Sequence, residues 1–311
     1  MKIVLALGGN AISRRDEKGD IPDQTRNSRI SAEHIVDLVE AGHQVVATHG
    51  NGPQVGNVLR RVEAGRKFLY TLPLDICGAH TQGGMGYMFQ REISNVFHAR
   101  GMNQIAFTIV TQCLVSEDDP AFHNPTKPIG PFFTREQIQP MIDSDGWMVV
   151  EIANQGWRRV VPSPKPLRII EERAIRKALE TGDVLVCCGG GGIPVVSREG
   201  ILCGIEGVID KDFGTGLLAR TIDAELLVIT TDVEKVALHF REANPLWLDH
   251  LSVSEARTHF SAGEFSAGSM GPKIQAAIEF TELTGRDTII TSPEKTIDAI
   301  AGRTGTRIYR G

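Results

Sequence analysis

Three lysines and four glycine clusters carry most of the chemistry that can be read from this 311-residue sequence. The clusters are Gly8-Gly9-Asn10-Ala11, His49-Gly50-Asn51-Gly52-Pro53-Gln54-Val55-Gly56, Gly189-Gly190-Gly191-Gly192-Ile193-Pro194 and the looser Gly268-Ser269-Met270-Gly271-Pro272-Lys273. The first three follow predicted strands, and the fourth opens a predicted helix. N–H groups of such turns and of helix starts bind anions, and glycine lets the backbone approach a ligand closely. Lys211, in Asp210-Lys211-Asp212, begins one predicted helix, and Lys273, after Pro272, begins another. A helix dipole disfavours a cation there by ~0.3–1 kcal/mol, so an external anion sharing the site would ease both. Lys127 is held between Pro125 and Pro128, which fixes its direction. Backbone cradles plus three ammonium groups make a polyanion pocket, and phosphoryl transfer needs little more than positioning and charge neutralisation. No general base accompanies them. An alcohol acceptor would need one, whereas a carboxylate acceptor needs only relief from anion–anion repulsion. The pattern points to phosphorylation of a carboxyl-type oxygen, giving an acyl phosphate.

Other chemistries find no support. No Gly-Lys dipeptide exists, so there is no Walker A loop. Gly214-Thr215-Gly216-Leu217-Leu218-Ala219 matches the dinucleotide pattern but lies inside a helical pattern and reads as chance. There is no HExxH and no GxSxG, and the nine histidines show no zinc-ligand spacing. Lys+Arg of 33 against Asp+Glu of 38 gives a net charge of −5, which speaks against a nucleic-acid surface. No apolar run approaches the ~18–20 residues of a membrane span, and the opening ten residues read as a buried strand and a glycine turn rather than a leader. Five cysteines without a CxxC suggest a reducing cytoplasm, with Cys187 and Cys188 as buried strand residues.

The elements that must position these residues follow from hydrophobic periodicity. With 41% hydrophobic and 23% charged residues the chain is globular. Strands are predicted at 2–7, 44–48, 105–110, 184–188, 226–230, 287–291 and 306–309, several as continuous apolar runs typical of strands covered on both faces. Helices are predicted around Ile30–Val39 and over 75–99, 171–181, 211–222 and 273–284. This alternation predicts an α/β fold with a largely parallel sheet. Residues 120–166 break the rhythm, holding eight of the 15 prolines. Regular helix is not expected there. Phe122, Phe132, Phe133, Trp147 and Trp157 argue against disorder, so the stretch is expected to be a protruding subdomain over a cleft, hinged near Pro120 and Pro162–Pro166.

At these residues the sequence resembles the carbamate kinases, members of the amino-acid-kinase fold family. The likeness runs nearly end to end through the four glycine clusters, Asn124 to Pro131, Val160-Val161-Pro162-Ser163-Pro164-Lys165-Pro166 and Val208-Ile209-Asp210-Lys211-Asp212. It implies a three-layer α/β/α sandwich with an open, mainly parallel sheet of about eight strands. It implies a single domain, 1–311, with a carbamate-binding lobe at 1–165 that includes a protruding subdomain at 117–165, and a nucleotide-binding lobe at 166–311. The implied reaction is reversible phosphoryl transfer between ATP and carbamate, giving ADP and carbamoyl phosphate. Mg²⁺ is the implied cofactor, in a cytoplasmic homodimer running toward ATP in the breakdown of arginine, agmatine or purines. By that resemblance Gly8, Gly9, Asn10, Gly50, Asn51 and Gly52 surround the acceptor, and Lys127, Lys211 and Lys273 are catalytic. Gly190, Gly191, Lys211, Asp212, Thr231, Asp232, Val236, Met270 and Lys273 face the nucleotide, with Asp212 orienting lysines or binding metal. One stretch departs from the family. Where Glu-Asp-Ala-Gly-Arg-Gly is usual, this chain has Glu151-Ile152-Ala153-Asn154-Gln155-Gly156, and Gly271 replaces a common leucine. Losing an arginine near an anion site would remove a fixed fork donor. A related kinase for another carboxylate, or a non-catalytic nucleotide-binding paralogue, are the alternatives.

Overall fold

The computed structural model of the chain describes residues 1–14, 17–266 and 268–311 and, of Asn10, the backbone alone. An eight-stranded sheet runs, edge to edge, through His250–Ser252, Thr306–Tyr309, Thr288–Thr291, Leu226–Thr230, Lys2–Leu7, Gln44–His49, Val184–Cys187 and Ala106–Ile109. Neighbours are parallel except Thr288–Thr291 with Thr306–Tyr309. All seven predicted strands lie in it. The eighth, His250–Ser252, is too short for a legible apolar run.

Alternation along each strand builds two cores. Ile3, Leu5 and Leu7 face helices Ile21–Glu40 and Leu74–Ala99. Val4 and Ala6 face helices Lys211–Thr221 and Met270–Thr284. The result is the expected three-layer sandwich. Helix Ile21–Glu40 starts nine residues before the predicted apolar face, because Asp20 accepts from the Asp23 N–H and Pro22 occupies the first turn. Helices Gly52–Gly65 and Val253–Ser261 went unpredicted. The former begins inside a glycine cluster, with Pro53 in its first turn, and the latter is set by a Ser252–Glu255 capping box.

Residues 120–166 correct the expectation of irregular chain. They hold a three-stranded antiparallel sheet, ordered Lys127–Phe133, Gly156–Val161, Val149–Ile152, and the helix Arg135–Asp145. That helix contains Pro140, yet it persists: Thr134 and Gln137 form a capping box, Ile138 is fully buried, and Gly146 closes the end with a left-handed conformation. Pro128 and Pro131 sit on the edge strand, where the missing N–H removes little. The subdomain is seated by Val55, Leu59, Leu74, Cys77, Ile129 and Val161. At its base the Lys165 N–H donates to Asp119, 2.9 Å away, tying the two connecting segments together. Among the described residues no helix is long and apolar enough to cross a membrane.

The spurious dinucleotide match lies, as expected, within helix Lys211–Thr221. Its glycines serve packing. A side chain at Gly214 would overlap the backbone of Gly191, whereas one at Gly216 would meet Ala276 O at an ordinary 3.6 Å. Gly214→Ala should therefore cost about 1–3 kcal/mol in denaturant unfolding, while Gly216→Ala, the matched control, should cost little or stabilise the helix.

Candidate active site

The carboxyl ends of the central strands open into a cavity of about 280 Å³. Gly50, Asn51, Gly52, Gly190, Asp210, Lys211 and Asp212 line it from the core, and Lys127 and Arg158 from the small three-stranded sheet. A second cavity of about 630 Å³ lies beside it, walled by Thr231, Asp232, Ala237, Phe240, Ser269 and Met270 among others. Lys273 joins the two, reaching Asp212 at 3.1 Å and the Ser269 carbonyl at 3.4 Å.

Asp212 is the centre of the charge arrangement. It is 3% exposed, and its two oxygens accept from different lysines: Oδ1 from Lys211 at 2.6 Å and Oδ2 from Lys273 at 3.1 Å. Burial alone would raise its carboxyl, but Lys211 and Lys273 together hold it below the usual carboxylate range. Burial lowers the Lys211 ammonium, and the Lys273 charge lowers it further, while Asp212 opposes both. The strained lysines inferred from the helix dipole thus find their counter-ion inside the chain. Asp210 supplies the rest. Its Oδ1 caps helix Lys211–Thr221 by accepting from the Asp212 N–H at 3.0 Å, and its Oδ2 accepts from Lys127 at 2.7 Å. One carboxylate orders the helix start and fixes the subdomain's lysine. Three ammonium groups against two carboxylates leave one net positive charge before any ligand enters.

Close approach accounts for several of the clustered glycines. Gly50 carries the Lys211 stem, with a Cβ position 3.3 Å from its Cδ. Gly190 has φ of 66°, and a side chain there would overlap the Asn51 amide. Gly191, with φ of 95°, lies against the Ile209 carbonyl. Gly8 donates to Thr230 Oγ1 at 3.1 Å, and a Cβ there would lie 2.7 Å from Thr230 O. Gly9 begins the following turn with open space around it. The Asn10 side chain lies outside the described residues.

Most of the predicted set therefore converges. Lys127, Gly50, Asn51, Gly52, Gly190, Lys211 and Asp212 share the first cavity, Thr231, Asp232 and Met270 share the second, and Lys273 bridges them. Gly8, Gly9 and Gly191 lie outside the lining of both cavities, and so does Val236. It is fully buried on strand Val236–Leu238, and the alternate residue Ala237 reaches the cavity instead. Sequence reasoning missed Asp210, Thr81, Gln82 and Arg158. Asp210 carried a signal, an Asp directly before a helix. Thr81 accepts from Asn51, and Gln82 clasps Thr111 and Gly189. Those contacts span 29 to 107 residues, and no local pattern announces them. Of the departures, Ile152 ends strand Val149–Ile152 and Asn154 and Gln155 lie in the turn that follows, all outside the residues lining either cavity.

The model of the amino acid kinase family matches residues 1–292, and the chain belongs to that family. Within it the chain groups with the carbamate kinases. It is 43% identical over 309 residues to the carbamate kinase of Pyrococcus furiosus, covering 99% of this chain and 98% of that protein. It is 44% identical over 311 residues to a carbamate kinase-like protein of Escherichia coli, covering 99% and 98%. The solved structure of carbamate kinase from Giardia lamblia bound to AMP-PNP is 41% identical, with a TM-score of 0.95 over 100% of this chain and 98% of that one.

His49 lies beneath the cradles, 1% exposed, stacked on Phe89 with ring centroids 5.5 Å apart. Burial, with a contribution from the Lys211 charge, pushes its imidazole down to about 4. Between pH 6.5 and 4 the unfolded chain then binds a proton the folded one refuses, so stability is full above 6.5 and falls as pH drops toward 4. The difference amounts to about 3 kcal/mol. Denaturant titrations across this range should show the decline, and His49→Gln should flatten it.

Proposed function

We propose that this chain catalyses ATP + carbamate ⇌ ADP + carbamoyl phosphate. The observation that carries the reading is the buried Asp212 shared by Lys211 and Lys273 at the junction of two cavities, with Lys127 entering from the subdomain. In the forward direction a carboxylate oxygen of carbamate attacks the γ-phosphorus of ATP, and the bond to the β–γ bridging oxygen breaks, leaving ADP. The acceptor is already an anion, so no side chain has to remove a proton. The barrier is repulsion between two anions. Lys127 on the acceptor side and Lys211 and Lys273 on the phosphate side offset it as charge spreads over the transferring group. Gly8, Gly9, Asn10, Gly50, Asn51 and Gly52 would surround the acceptor and the moving phosphoryl. Gly190, Gly191, Thr231, Asp232 and Met270 would hold the nucleotide, the first two through the phosphates.

We assign Asp212 to orienting the lysines. A direct metal role fits poorly, since both its oxygens already accept from ammonium groups, and both Asp210 oxygens are engaged as well. Among the described residues no group of three or more His, Cys, Asp or Glu is placed to hold a metal. The residues present do not fit a protein cage for the Mg²⁺ that the resemblance implies. The acceptor lobe 1–165, with its subdomain 117–165, and the nucleotide lobe 166–311 share one continuous sheet in this reading. The five cysteines are unpaired, which supports work in a reducing cytoplasm, and a role in arginine, agmatine or purine breakdown belongs to the same reading. The Ile152, Asn154 and Gln155 departures leave the cavity walls intact and give no ground for another acceptor.

The homodimer is supported by helix Leu74–Ala99. It exposes Ile76 and Tyr87, the segment before it exposes Phe68, Leu69 and Tyr70, and its Gly83 and Gly84 have open space where a side chain would go. Exposed glycines mid-helix cost roughly 1 kcal/mol each relative to alanine, and nothing within the chain requires them. A second copy approaching closely would.

A coupled assay for ATP formation from ADP and carbamoyl phosphate tests substrate and reaction together. Lys127→Ala, Lys211→Ala and Lys273→Ala should each lower turnover by two or more orders of magnitude, about 3 kcal/mol. Full turnover in all three would remove the reading. Sedimentation should show a dimer for the native chain and a monomer for Gly84→Glu; a native monomer would overturn the proposed assembly.

A further inference from the structure

Arg158 differs from Lys127 and Arg159, the other cations on its paired strands, each of which has a carboxylate partner. Its neighbour Arg159 is paired with Glu206 at 2.8 Å. Arg158 lines the first cavity and forms no ion pair among the described residues. Its Nε is buried without an acceptor, an arrangement that costs free energy unless something outside the chain completes it. The guanidinium lies over the Phe132 ring, 5.0 Å from its centroid, which holds its plane and limits the rotamers it can adopt. Burial keeps its basicity below the usual arginine range. The two carboxylates nearest the lysines do not compete for it, because Asp210 and Asp212 are engaged elsewhere.

We infer that Arg158 is a second anion ligand carried by the protruding subdomain, gripping the acceptor-side oxygens of carbamate and carbamoyl phosphate; this rests on the reaction proposed above. A planar fork with an unused buried N–H matches a carboxylate or phosphoryl edge in a way a lysine does not. Arg158 and Lys127 lie on paired strands of one small sheet, so any movement of the subdomain carries both charges together. The nucleotide-side cavity contains neither. Arg158 therefore acts on the acceptor half of the reaction alone.

Steady-state kinetics in the direction of ATP formation test this with Arg158→Met, which keeps a long apolar stem over Phe132, and Arg158→Lys, which keeps the charge without the fork. Arg158→Met should raise KM for carbamoyl phosphate at least tenfold and leave KM for ADP within twofold, with Arg158→Lys between it and the native chain. An unchanged KM for carbamoyl phosphate, or a parallel loss in both KM values with a lowered melting temperature, would overturn the assignment. Calorimetric titration of the ADP-saturated protein with inorganic phosphate reads the same site independently of which acceptor is turned over. Tenfold weaker binding in Arg158→Met supports the ligand role, and equal binding removes it even if the kinase reaction is established. Conversely, absence of ATP formation by the native chain would sink the reaction while the titration still decides the arginine.

Discussion

A carboxylate buried between two ammonium groups holds this site together. Asp212 would be costly to bury alone, and so would Lys211. Each is tolerated because the other is there, with Lys273 as the third member. The arrangement keeps two cations close despite their repulsion and without free rotation. It works only if helix Lys211–Thr221 starts at one defined residue, and Asp210 sets that start by capping it. Packing serves the same end, since glycine at 214 lets that helix press against the Gly189–Gly191 turn. Remove any of these and the charges lose their register.

The two sides of the site are anchored differently. Lys211 and Lys273 belong to helices buried against the central sheet. Lys127 and Arg158 belong to a small sheet seated on helices Gly52–Gly65 and Leu74–Ala99 through a six-residue apolar cluster. The division suits a reaction in which a large polyanion must be gripped firmly while a small acceptor enters and leaves.

Much of this was legible in the sequence, for reasons that differ by element. Strands such as Lys2–Leu7 and Leu226–Thr230 are buried on both faces and so appear as unbroken apolar runs. The three lysines were visible because each sat beside a conformational marker, a proline or a helix start. The subdomain was misjudged because proline density was read as irregularity, whereas Pro128 and Pro131 occupy an edge strand and Pro140 is carried by a helix with strong caps. Gln82 and Arg158 were invisible, since their importance depends on partners, or the lack of them, far away in sequence. Val236 was misplaced by one residue, enough to turn a strand side chain from cavity to core.

The position of strand Val184–Cys187 has an effect on how the chain is made. It is inserted between Gln44–His49 and Ala106–Ile109, bonding to both. While a ribosome is still short of residue 187, Gln44–His49 can pair with Lys2–Leu7 on one side only, and Ala106–Ile109 has no partner strand in that sheet. The first half of the protein must therefore wait for the second, and a nascent chain stalled in the subdomain would be a sticky one.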